Sequence, residues 1–223
     1  MAVTAVISDR CKYALPKKML DLSSGGDSLK IILMRSGFTF DKRVHGLYVN
    51  VMGTMTRTDI SFVAAGNHIH TVAGDLQAAG FVSGMKIVIS GTVHNNGTFT
   101  IVAVGSAIDM TVTESITDES AGSSFTVAGN DELETGYGYD RNTKTLASVA
   151  LTEDNVTNDQ AVMTCATVTW SASGGSIGPT PGAIIFDDTV SEKTILGYIN
   201  FDGNQTAVSG AGFSISSIAL DVS

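Results

Sequence analysis

With 223 residues, 43% of them apolar, the chain can bury one large β core or two smaller ones and is not a disordered polymer. Its net charge of −9 argues against general nucleic-acid binding, because a phosphate backbone would repel it, and no run of about twenty apolar residues offers a membrane span. Charged residues are only 16% and glycines number 24, a mix that suits many short strands and turns better than long helices.

Residues 1–18 show no clear periodicity and are broken at Leu15-Pro16-Lys17-Lys18; a turn of helix after the break would end at Ser23-Ser24-Gly25-Gly26-Asp27. The expectation is an extended N-terminal arm. Met1–Ala14 has no continuous apolar stretch of the kind a secretory signal needs. Charge is unevenly spread. Residues 1–57 hold nine of the thirteen lysines and arginines against four acids, a net of +5, and the remainder holds four against eighteen, −14. Such an arm either docks on an acidic partner surface or folds back on its own acidic body. Arg10, Lys12, Lys17 and Lys18 are its candidate contact residues.

Ser28–Ser36 reads as a strand, and its continuous apolar centre, Ile31–Met34, implies cover on both faces. Gly46–Met52 is β-prone. From Thr58 to about Gly129 the pattern becomes that of a separate unit. Ile60–Val63 and His68–Val72 are short strands, and Asp75–Gly80 suits one helical turn with Asp75 as its cap. Met85–Ser90 and Thr98–Val104 form a hairpin across Asn95-Asn96-Gly97. Asp109–Glu114 and Ser124–Val127 complete a small barrel or roll. The unit opens on I-S-F-V and closes on S-F-T-V, so its ends could lie together, as insertion into a host domain requires.

A Gly/Tyr-rich loop, Gly136–Tyr139, leads into two β-prone runs, Thr143–Thr152 and Ala161–Trp170. The polar turn between them, Glu153–Asp159, predicts that they pair. Ser173–Gly182 reads as a loop holding two of the three prolines. Ala183–Phe186 and Thr194–Phe201 read as strands, with turns at Asp187–Lys193 and Asp202-Gly203-Asn204. Gly212–Val222 alternates and changes phase at Ser216-Ser217, the mark of a bulge or bend. The count is six to eight strands for the host and five or six for the insert.

Few residues point to chemistry. His68 and His70 share one face of a strand but lack a third ligand at a telling spacing, and His94 lies in a turn. Asp187-Asp188 and Glu153-Asp154 read as solvated turn residues, too sparse for a calcium loop. Paired carboxylates for glycoside hydrolysis need only spatial proximity, and nothing in the sequence picks a pair out. No nucleophile elbow, zinc-protease helix or phosphate loop is present. Tyr137 and Tyr139 either contact a partner or pack over the end of the sheet. Cys11 and Cys165 form no metal-spaced pair, and Cys165 reads as a buried small apolar residue. No metal, cofactor or catalytic residue is expected.

Six segments carry a resemblance to a known group. They are Leu29–Leu33 (L-K-I-I-L), Glu134–Tyr139 (E-T-G-Y-G-Y), Lys144–Val162, Val168–Ser173 (V-T-W-S-A-S), Ala183–Thr189 (A-I-I-F-D-D-T) and Leu196–Phe201 (L-G-Y-I-N-F). Over residues 28–50 and 130–223 the chain resembles virion structural proteins of tailed bacteriophages. The middle unit is similar to a small β module inserted in phage virion proteins, through Phe62–Ile69, Ala78–Gly91, Asn95–Ile101 and Ile116–Gly122.

The fold class expected is all-β: a β-sandwich or jelly-roll-like host domain with an inserted small β-barrel domain. The arm would span 1–27, the discontinuous host 28–55 plus 130–223, and the insert 56–129. The resemblance implies a non-enzymatic capsid decoration or cement protein. It would bind the major capsid protein lattice as a homo-oligomer, most naturally a trimer, on the outer capsid surface of the virion after synthesis in the host cytoplasm. A tail or tail-fibre component and a carbohydrate-binding protein of the host surface are the alternatives.

Overall fold

A computed structural model describes residues 4–23, 25–154 and 160–221. In chain order, β1 (Thr4–Ile7), α1 (Asp9–Ala14) and β2 (Leu29–Leu33) come first. Next are α2 (Val49–Met52), β3 (Thr54–Arg57), β4 (Ile60–Val63), β5 (His68–Thr71), β6 (Lys86–Ser90), β7 (Gly97–Ser106), β8 (Asp109–Val112) and β9 (Phe125–Gly129). The chain ends with β10 (Ala150–Asp154), β11 (Gln160–Thr164), β12 (Val168–Ser171), β13 (Ile177–Asp187), β14 (Ile195–Ala207), β15 (Gly212–Ile215) and β16 (Ala219–Asp221). The protein is all-β. It divides into two compact units, Met1–Leu47 with Glu132–Ser223, and Tyr48–Asp131.

The first unit is a sandwich of antiparallel strands. One sheet runs β1-β14-β13-β2; facing elements are β10-β11-β16 and the pair β12-β15. Ile31, Leu33, Ala183, Ile185, Ile199 and Phe201 from the first sheet share a core with Met163, Leu220, Val168, Trp170, Phe213 and Ile215 from the others. The first sheet is also buried on its second face, where Ile32, Met34, Ile184 and Phe186 are fully enclosed. This is why β2 and β13 read as unbroken apolar runs: both sides of the pleat lie away from water, at about 1.5–3 kcal/mol of transfer free energy per large side chain.

The segment after β2 lays Phe38, Phe40 and His45 over Tyr198, with Phe40 stacked on the Tyr198 ring at 5.3 Å. Lys144–Leu146 hydrogen-bonds along β2 and covers its edge, the amide of Ile31 donating to Lys144 and that of Leu146 to Leu29.

Several expectations are corrected here. Residues 4–22 are not an extended arm. β1 pairs with β14 across almost the whole chain, Ile7 entering the core with Ala5 packed against it, and α1 buries Cys11 and Ala14, followed by Leu20 and Leu22. Elements of four and six residues are too short to show a period. The last part of Gly46–Met52 is a helical turn, α2, not strand. The Ser173–Gly182 loop is strand from Ile177, its prolines falling where the β13–β14 register shifts. Asp202-Gly203-Asn204 does not end β14. From Asn200 to Gln205 that strand takes five steps while β13 takes two, from Gly182 to Thr180, so the turn residues form a large bulge and pairing resumes beyond it. The Ala161–Trp170 run splits into β11 and β12, which join different sheets. β10 and β11 do pair; part of the polar turn between them lies outside the described residues. Among the described residues the first unit has nine strands and the second seven; within the expected bounds the host holds eight, β2 and β10–β16, and the insert six, β4–β9, in line with the counts expected, while β1 falls in the arm and β3 across the boundary.

The second unit is a seven-stranded antiparallel sheet ordered β3-β9-β6-β7-β8-β5-β4. Its two edges, β3 and β4, are successive strands separated only by Thr58 and Asp59. Burial alternates along β5, β8 and β9, so one face gathers Phe62, Ile69, Phe81, Ile87, Ile101, Met110, Phe125 and Val127 into a single core. The expected boundaries at 56 and 129 move outward, because β3 pairs with β9 and the amide of Asp131 still bonds to Val51. Asp75 caps its turn as expected, accepting from the Ala78 amide at 2.8 Å. At Gly80, with φ +91°, a Cβ would sit 2.4 Å from the Val49 carbonyl, so only glycine allows α2 to pack there.

Candidate functional site

The sequence between β1 and β2 places the basic candidates on a short, anchored helix. Ser8, fully buried, caps α1. Its hydroxyl accepts from the Cys11 amide at 3.0 Å and donates to the Ile195 carbonyl in β14. The helix therefore hangs from the central sheet at its N-terminus while Cys11 and Ala14 enter the core. Burial pushes the Cys11 thiol up to about 12 and that of Cys165 up to about 11, so neither is a ready nucleophile, and both are free thiols.

The opposite side of α1 carries Arg10, Lys12 and Tyr13, and the turn after it carries Lys17, Lys18 and Met19. Tyr13 is 49% exposed, a large ring on open surface. Arg10 stands over one part of it at 5.4 Å and Lys17 over another at 4.9 Å. Arg10 also forms an ion pair with Glu192, and Lys42 lies 4.0 Å from Asp9. Thus the structure brings Arg10 and Lys17 onto the Tyr13 ring, with Lys12 on the same helix and Lys18 in the turn after it. One basic residue does fold back on the acidic body, through Arg10–Glu192. Lys12, Lys17 and Lys18 are exposed. Tyr13 was missed by sequence reading; the signal available was its spacing, three residues from Arg10 and four from Lys17.

Beside this patch opens a pocket of about 380 Å³ whose lining includes Lys18, Met19, Asp21, Asp27, Val190 and Glu192. Asp21 holds the Ser23 amide and hydroxyl, which keep its carboxyl below the usual range, and Asp27 accepts from the Asp21 amide at 2.7 Å. Asp188 is clamped by Lys30 at 2.7 Å and Lys193 at 2.6 Å. Asp187 is not the solvated turn residue expected. It is fully buried at the end of β13, its Oδ1 accepting from Thr189 while its Oδ2 has no hydrogen-bond partner. Burial, with the nearby charges of Asp27 and Asp188, raises its pKa.

The remaining candidates resolve into structural roles. His68 Nδ1 lies 3.0 Å from both oxygens of Asp109 and His70 Nδ1 lies 3.9 Å from one of them. Among the described residues no three His, Cys, Asp or Glu side chains are grouped to hold a metal. His94 gives its amide to Glu119, which also takes Val93 and Asn95 and so ties down the 92–96 turn. Tyr139 is buried. Its hydroxyl donates to Glu132 at 2.8 Å and accepts from the Leu33 amide at 2.9 Å, and burial pushes its pKa up. Tyr137 is 57% exposed and lies over Gly175, where any Cβ would meet its ring at 2.3 Å. Trp170 is enclosed, packed on Tyr139 and Phe213, and offers no platform to a sugar. Among the described residues no helix is long and apolar enough to cross a membrane. No family model, curated protein or solved structure matches the chain.

Proposed function

We propose that this is a non-enzymatic structural protein of a tailed-phage virion, a capsid decoration protein that binds the major capsid protein lattice through the α1 face. The observation that carries this reading is the half-exposed Tyr13 ring between Arg10 and Lys17, with Lys12 and Lys18 beside it, on a helix fastened to the central sheet. An aromatic flanked by cations on a rigid support is the composition of an interface anchor for an acidic surface. The phage assignment itself rests on the sequence resemblance. Binding only the assembled lattice stabilises the shell by mass action, and many copies, as trimers at local threefold axes, make weak contacts add. No cofactor enters this reading.

The test is cryo-electron microscopy of the particle that carries this chain. Regular density over the head, with α1 against the capsid protein, supports the reading. Density confined to the tail overturns the capsid role in favour of a tail component, and absence from the particle overturns the virion assignment.

A further inference from the structure

The basic patch does not end in neutral surface; it adjoins a pocket of opposite sign. Lys18 and Met19 belong to both, and the Arg10–Glu192 pair joins the helix to the pocket rim. Three carboxylates line this pocket, those of Asp21, Asp27 and Glu192, against one ammonium, Lys18. Glu192 is already paired with Arg10. Asp21 and Asp27 each use one oxygen for local bonds, and Asp187, buried behind the lining rather than in it, is close enough to Asp27 to feel its charge. Two apolar side chains stand in the lining, Met19 and Val190, each 42% exposed.

An apolar side chain entering here would strip water from two carboxylates without replacing it, which is unfavourable. A long cationic side chain meets both demands, its methylene stem on Met19 and Val190 and its head among the carboxylates. We propose that this pocket is a receptor for a single arginine or lysine side chain presented by the protein partner, next to the acidic patch that meets Arg10, Lys12, Lys17 and Lys18. The inference rests on the reading of α1 as a docking face, and it adds what that face selects for. The partner surface must change sign within one side chain's reach. A uniformly acidic surface puts carboxylates against Asp21 and Asp27 and is rejected, and a slipped register is rejected for the same reason.

Arginine amide is the probe, and its neutral isostere citrulline amide the control, titrated into the full-length protein with amide chemical shifts as readout. The expected result is a saturable shift, on the order of millimolar affinity, confined to residues 18–27 and 190–194, with citrulline amide at least about tenfold weaker. Val190→Trp, which fills the pocket and leaves every charge in place, removes the response, as does Asp21→Asn with Asp27→Asn. A second pair of variants, Lys12→Glu and Lys17→Glu, lies outside the pocket lining, leaves Asp21 and Asp27 in place and retains arginine amide binding. Equal response to both amides, or shifts scattered over the acidic surface, overturns the proposal. A local arginine response in a protein absent from virions would overturn the capsid reading alone.

Discussion

The two units solve the same problem, burying a β-sheet, in opposite ways. In the first, β13 and β14 are covered on both faces, and the sheet depends on pairings such as Ala5 with Ile199, nearly the full chain apart. In the second, burial alternates and β4–β5, β6–β7 and β7–β8 pair with near neighbours in sequence. The pairings of β5 with β8 and β6 with β9 close longer loops, and the joining of β3 to β9 spans that unit. The difference teaches where each is vulnerable. The first unit concentrates its apolar burial in a few residues of β13 and β14 and must close long loops before it gains it, whereas the second gains from short closures first.

The largest effects come from opening either core. Phe186→Ala, on the doubly covered β13, is expected to destabilise by about 3–5 kcal/mol, and Phe125→Ala, in the second core, by a similar amount. Hydrogen exchange separates them. The first variant lowers protection in residues 1–47 and 132–223 and the second in 48–131; loss of protection in both units from either variant would end the comparison.

Tyr139→Phe comes next, at about 1–3 kcal/mol, because Glu132 and the Leu33 amide lose a buried partner. Urea unfolding checks it, and only the first unit's transition should move.

A pH effect is also confined to the first unit. Burial holds the His45 pKa below 6.5, and its Nδ1 accepts from the Asp41 amide at 2.9 Å, which requires the unprotonated nitrogen. The unfolded chain protonates first, at about 6.5. Stability is therefore complete above that pH and declines as pH falls from there toward the lower folded value. Thermal melts from pH 8 to 5 should show the decline, and His45→Gln should flatten it.

The smallest effect is Arg10→Ala. The Glu192 pair is partly exposed and its loss should change stability by less than about 1 kcal/mol, while attachment to virions, measured by sedimentation of particles with added protein, drops clearly. Unchanged attachment would remove Arg10 from the docking face.

How much of this was readable depended on whether a local pattern or a distant partner fixed each element. β2, β4, β6 and β7 carry their own periodicity, and Asp75 and Gly80 carry their own turn chemistry, so they stood out. β1 has four residues and owes its existence to β14, which no local signal announces. Asp202 and Gly203 have turn chemistry that is real, with positive φ at both, yet β13 keeps its hold beyond them and makes a bulge of what reads as an ending. In the site, Arg10, Lys12, Lys17 and Lys18 were visible as charge. Tyr13 and the Asp21–Asp27 pocket were not, because one is defined by its exposure and the other by Val190 and Glu192 arriving from far along the chain.

Ser8 gives the docking face a thermodynamic character. By joining the first turn of α1 to the Ile195 carbonyl, it makes the helix backbone part of the sheet before any partner arrives. A flexible basic tail would lose its conformational freedom on contact and surrender much of its interaction energy to that ordering. Here the backbone is preorganised, and only the outer lysine side chains are left to immobilise. Attachment by this face should thus show a small entropic penalty, and mutations of its side chains should act mainly on how long the protein stays bound rather than on how fast it arrives.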